Sequence, residues 1–428
     1  MRKIFIFISF FACLQAFALP HYDLTYRISG GGQMMMNDGK VDAFVQRPVL
    51  GGTFAVEFLS TGRWHSLQQW NNASIGVGAS YLNLGNDAKL GSAFAAYGYM
   101  NQPFYNGSHF RIGVRPTVGL AAVTKTYTNT YEGENLYKDH TGANWSIGSI
   151  LNAYLAMELY LDFPIKNGWE ITLNGGWRHI SNGSFMQPNA GYNMFGGEVG
   201  VRYNPNEKPI ENAPKSAKEL HEEVEKPWAV EISITGGAKQ NYYADNYPKM
   251  QFFGAATMKV AAYWEPLSVF RIGLGADAFY DGYYRCVSKN SKEDFSVSNP
   301  EAPVTHFYKT RLTESKVENC FRVGISLQPE FIIGKLTAGV HIGVYVFDPI
   351  KNLEPYDEAK AADLTGQPLN RGLFYAYDFT KASTYQDGWC YMQFILKYHV
   401  LDHLFVQLGL KTHGVRAEFI DAGLGVAF

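Results

Sequence analysis

Apolar and polar side chains alternate with a period of two along most of this chain, in runs broken by Gly, Asn, Asp and Pro. That period belongs to the β-strand, whose successive side chains point to opposite faces. The pattern predicts eight strands in the first half, at about 22–35, 51–61, 71–84, 90–101, 109–124, 148–163, 169–181 and 193–204. Eight more follow at about 227–240, 249–265, 267–282, 320–332, 334–348, 387–400, 402–413 and 417–428. The last is the cleanest: Ile420, Ala422, Leu424, Val426 and Phe428 share one face, and Asp421, Gly423 and Gly425 the other. In the seventh, Leu173, Trp177, His179 and Ser181 share a face, backed by Asn174 and Arg178. An apolar face backed by a polar one suits a barrel with lipid outside and water inside.

The expected fold class is therefore all-β, an antiparallel transmembrane β-barrel. Residues 205–226, PNEKPIENAPKSAKELHEEVEK, break the alternation with prolines and charges and carry no aromatic residue, as a solvated linker does. Two tandem eight-stranded barrels are predicted, at 19–204 and 227–428, with 205–226 as a charged periplasmic linker. The alternative is one barrel of about sixteen strands. Short echoes favour duplication. TYRISGGGQ at 25–33 resembles EISITGGAKQ at 231–240, and HFRIGVRPTVGL at 109–120 resembles CFRVGISLQPEF at 320–331. Laying ITLNGGWRHISNG at 171–183 over VQLGLKTHGVRA at 406–417 pairs His179 with His413 and Ser181 with Val415. On that overlay the second repeat lacks the serine. The tight connection Pro164 to Gly168 reads as a periplasmic turn, so the seventh strand runs outward and delivers His179 and Ser181 to its outer end.

Composition and targeting agree with export. Arg2 and Lys3, the apolar run Ile4 to Leu14 and Ala16-Phe17-Ala18 read as a signal peptide over residues 1–18. Aromatics at 15% with 43 glycines suit aromatic girdles around a polar lumen. A net charge of −2 gives no basic surface for nucleic acid. Cys286 and Cys320 bracket a long polar insertion and are the candidate disulfide in an oxidising compartment. Alternation ending on Phe428 resembles the signal read by the barrel-assembly machinery of Gram-negative outer membranes.

The candidate chemistry lies in WRHISNGSFMQPNAGYN, residues 177–193. Serine is a weak nucleophile until a base within hydrogen-bond reach takes its proton. Histidine is the usual base, and its second ring nitrogen needs an orienting acceptor. His179 and Ser181 meet the first condition by sharing a strand face. A tetrahedral intermediate also needs hydrogen-bond donors, and the backbone amides around Asn182 and Gly183 are nearby candidates.

HISNGSFMQPNAGYN resembles the signature of the PagL family of lipid A deacylases, whose relatives are often labelled acyloxyacyl hydrolases. These are outer-membrane barrels that hydrolyse the ester-linked 3-O-acyl chain of lipid A. The likeness rests on His179, Ser181, Asn182, Pro188, Asn189 and Gly191, within an eight-strand pattern over roughly residues 20–205. It implies Ser181 as nucleophile, His179 as base and Asn189 as an oxyanion donor, with no metal and no cofactor. The family's third member, a glutamate, falls on Asn193. An amide oxygen orients an imidazole but gives its cation no charge stabilisation, so a slower enzyme is expected. Glu198, the nearest carboxylate, falls on the lumen face. The expected function is an outer-membrane serine esterase acting on lipid A in lipopolysaccharide, surrounded by outer-membrane lipids. The alternative is a non-catalytic barrel, a pore or adhesin with a decayed site.

Overall fold

The computed structural model describes residues 24–36, 44–59, 65–130, 143–144, 146–205, 224, 227–241, 251–285, 308–309, 317–349, 354–355, 390–414 and 416–428. The first barrel is built from β1 (Leu24–Met35), β2 (Val49–Phe58), β3 (Ser74–Asn83), β4 (Ser92–Asn106), β5 (Arg111–Val123), β6 (Leu151–Pro164), β7 (Trp169–Ser181) and β8 (Tyr192–Tyr203). The second half opens with β9 (Trp228–Asn241), β10 (Gln251–Leu267) and β11 (Phe270–Asp281), then β13 (Phe321–Ile333) and β14 (Leu336–Phe347). It ends with β16 (Cys390–Leu401), β17 (Leu404–His413) and β18 (Arg416–Ala427). A two-residue bridge, β12 (Tyr308–Lys309) with β15 (Glu354–Pro355), lies outside both walls.

Each set of eight closes on itself in antiparallel order, β8 on β1 and β18 on β9. The structure thus contains two barrels and not one of sixteen strands. Phe428 extends the second closure, with Val230 N–H donating to its carbonyl at 3.1 Å and its own N–H to Val230 O at 2.9 Å. The signal-peptide residues, Cys286 of the expected disulfide and Val415 lie outside the described residues, as does nearly all of 205–226. Cys320 is buried at the end of the single 3-10 turn that precedes β13.

Alternation sorts side chains between wall and lumen as the period of two requires. On β7 Leu173 and Trp177 are exposed, while Asn174 and Arg178 are buried inside. Buried charges persist only when paired, and both lumens are crossed by ion pairs. In the first barrel Arg178 meets Glu158 and Glu198 at 2.7 Å each, and Arg202 meets Glu57 at 3.2 Å and Asp162 at 3.3 Å. Glu198 is therefore a lumen residue, as its strand parity predicts. In the second, Lys397 meets Glu231 at 2.6 Å and Glu330 at 2.7 Å, and Arg271 meets the same two carboxylates. The first lumen retains a cavity of about 20 Å³, room for roughly one water.

The overlay of His179 on His413 fails. His413 lies on the lumen side of β17 with Lys411, its Nε2 2.8 Å from Tyr345 Oη and its Nδ1 3.3 Å from Glu418. Matching the two histidines by sequence slips the pattern by one residue, and one residue exchanges the faces of a strand.

The barrels touch at both rims. At the rim of the 164–168 turn, Trp70 Nε1 donates to Ile332 O at 3.0 Å, and its ring packs on Phe331. At the opposite rim the β7–β8 loop rests on the second barrel.

Candidate active site

The register of β7 and β8 places His179 directly across from Asn193, while Ser181 lies two residues further along the same face as His179. The three polar groups form one chain. His179 Nδ1 is 2.8 Å from Asn193 Oδ1, and His179 Nε2 is 2.7 Å from Ser181 Oγ. An amide oxygen only accepts, so Nδ1 carries the proton and donates it to Asn193. Nε2 is then the unprotonated nitrogen and accepts the Ser181 O–H. Trp177 stacks on the imidazole, with ring centroids 5.4 Å apart and planes 15° apart, and restrains its rotation. Leu151, Met157 and Phe195 are exposed on the neighbouring strands, so an apolar surface surrounds the polar chain.

The loop after Ser181 folds on the buried side chain of Asn182. Its Nδ2 donates to Ser149 Oγ and to Met186 O, each at 2.8 Å, and its Oδ1 accepts from Met186 N–H at 3.2 Å. Its backbone N–H donates to Asn189 Oδ1 at 3.0 Å. That amide is therefore already engaged and is not a ready oxyanion donor. The same bond fixes which end of the Asn189 amide accepts, leaving Nδ2 as the end that can donate. Gly183 faces the second barrel instead of the pair: a Cβ built there would stand 2.5 Å from Ile420.

Gly191 closes the loop with φ +75°. Its N–H donates to Ser146 O at 2.8 Å. A Cβ at 191 would stand 2.8 Å from His179 Cε1 and 3.2 Å from Ser181 Cβ. Glycine is thus required twice over, by the backbone angle and by the space beside the imidazole. Its place in the motif was readable from sequence, but its packing on the pair was not. Ser146, Ser149 and Gln240 also support the loop, and no periodic signal marks them.

The structure thus brings His179, Ser181 and Asn193 together, with Asn182 and Asn189 joined in the adjacent loop. Among the described residues, no group of three or more His, Cys, Asp or Glu side chains is placed to hold a metal ion.

The model of the lipid A 3-O-deacylase (PagL) family matches residues 52–202. That of the acyloxyacyl hydrolase C-terminal domain matches residues 228–358 and 372–428. Among solved structures the chain is similar to the crystal structure of the outer membrane enzyme PagL, at 15% identity and a TM-score of 0.26, over 42% of this chain and 98% of that one. It is also similar to a triple mutant of the Rhodopseudomonas blastica porin, at 10% identity and a TM-score of 0.15, over 95% of this chain and 100% of that one. No curated protein matches.

Proposed function

We propose, from the premise that this chain belongs to the PagL family of lipid A deacylases, that it is an outer-membrane serine esterase removing an ester-linked acyl chain from lipid A. The observation that carries this reading is His179 held between Ser181 Oγ at 2.7 Å and Asn193 Oδ1 at 2.8 Å on the outer wall of a barrel. In this mechanism Ser181 Oγ attacks the acyl carbonyl as its proton passes to His179 Nε2. Asn189 Nδ2 supports the oxyanion of the tetrahedral intermediate. Collapse transfers the acyl group to Ser181, and His179 returns the proton to the departing sugar oxygen. Water, deprotonated by the same nitrogen, then releases the fatty acid and restores the hydroxyl.

The apolar wall around the site suits a lipid substrate. In a barrel inserted with the 164–168 turn toward the periplasm, the catalytic pair sits at the outer-leaflet end of β7, level with the ester bonds of lipopolysaccharide. Filled lumens weigh against a pore.

Lipid A mass spectrometry in a barrel-inserting host tests the reading. Wild type is expected to remove one acyl chain, and Ser181→Ala and His179→Ala to remove none. Lipid A left intact by correctly inserted wild-type protein would sink the esterase.

A further inference from the structure

The loop between Ser181 and Asn193 is held from two sides. Its first-barrel side is the Asn182 network described above. On its other side it lies against β9, β10 and β18. Ser184 Oγ donates to Ala417 O at 2.7 Å, and Gln240 N–H donates to Ser184 O at 3.0 Å. Gln187 N–H in turn donates to Gln240 Oε1 at 2.8 Å. Phe185 packs on Phe252 with ring centroids 5.4 Å apart. Gly183 admits Ile420 where any larger residue would collide with it. Gln240 is buried in this contact, so its side chain is fixed in place.

Gln187 stands two residues before Asn189, with only Pro188 between them, and Asn189 reaches back to the Asn182 amide. The second barrel therefore grips the loop at the point from which the oxyanion donor is carried. Electrostatic stabilisation depends on donors already in place when charge develops, and a displacement of about 1 Å is enough to cost roughly 100-fold in rate.

We propose that the second barrel is a clamp for the oxyanion loop, and that Gln240 is a positioning residue for deacylation at Ser181. This rests on the esterase reading and gives the second barrel a task in the same reaction. The contact is made through Gln240 Oε1, so an acceptor is needed there and a charge is not.

The test uses the full chain in outer-membrane preparations, with two readouts on wild type, Gln240→Ala and Gln240→Glu. Gln240→Ala is expected to lower kcat by about tenfold with KM unchanged within about twofold, the loss of one buried hydrogen bond. Amide hydrogen exchange in peptides spanning 184–191 is expected to speed up by a similar factor. Gln240→Glu, which keeps an acceptor facing Gln187 N–H, restores both. Unchanged exchange in Gln240→Ala overturns the clamp, and faster exchange with unchanged kcat overturns the positioning role. If wild type itself hydrolyses nothing, the esterase reading falls, and the exchange measurement still decides whether the second barrel orders this loop.

Discussion

Asn193 faces His179 across the β7–β8 ladder, and its Oδ1 takes the imidazole Nδ1–H at 2.8 Å. The amide orients the ring and selects the tautomer, yet in the proposed esterase it would offer no charge to the imidazolium formed as Ser181 attacked. Asn193→Asp keeps the side-chain length and adds that charge. It is expected to raise kcat on lipid A by roughly tenfold, about 1.4 kcal/mol of transition-state stabilisation. Asn193→Leu removes the acceptor and is expected to lower kcat by about 100-fold. Steady-state rates on purified lipid A check both, and a wild-type rate for Asn193→Leu would remove this residue from the site.

Gly191 provides a sharper geometric test. An added methyl group would stand 2.8 Å from His179 Cε1, and the backbone there has φ +75°. Gly191→Ala should therefore turn the imidazole away from Ser181 while leaving the strand ladders intact. The expected outcome is a barrel that still migrates as a compact species in an unheated gel, with kcat lowered by about 100-fold. A compact barrel with full activity would show that the ring tolerates displacement.

Arg178 and His179 are adjacent in sequence and opposite in consequence. Arg178 points into the lumen, between Glu158 and Glu198 at 2.7 Å each. Arg178→Met leaves two carboxylates buried without their cation, which is expected to cost roughly 3–5 kcal/mol of stability. The folded fraction should keep its kcat, because this change lies behind the wall that carries the site. Urea unfolding and activity per folded molecule separate the two effects. Unchanged unfolding would mean that lumen pairing contributes little to this barrel.

Periodicity was enough to read most of this architecture. Alternation alone fixed that Leu173 and Trp177 face out and Asn174 and Arg178 face in, because a closed barrel has one apolar side and the strand period is two; Ser181 shares the outward parity but is buried under the loop that follows it. Strand ends moved by a few residues, as in β4, expected at 90–101 and observed at Ser92–Asn106. The approach of Asn193 to His179 depended on hairpin register, which parity does not give; the family motif supplied that position. The contact of Gln240 with Gln187 was not legible at all. It arises where the β7–β8 loop docks on the second barrel, between residues 53 apart in sequence, and docking leaves no period in the sequence. The misplaced overlay on His413 shows the limit of parity from the other side. β17 and β18 shift register between Lys411 and Thr412, and short sequence echoes do not specify which face they share.

That limit leads to a test on the second barrel. If duplication had left a dormant site there, a serine at position 415 would revive it. Instead, the imidazole of His413 lies inside the lumen, held by Tyr345 Oη at 2.8 Å and facing Glu418 at 3.3 Å. In the proposed outer-membrane placement, the barrel wall would separate it from a glycolipid in the outer leaflet. Val415→Ser in a Ser181→Ala background is therefore expected to leave lipid A intact by mass spectrometry. Acyl loss from that double variant would mean that His413 reaches the outer surface, and that the second barrel carries chemistry of its own.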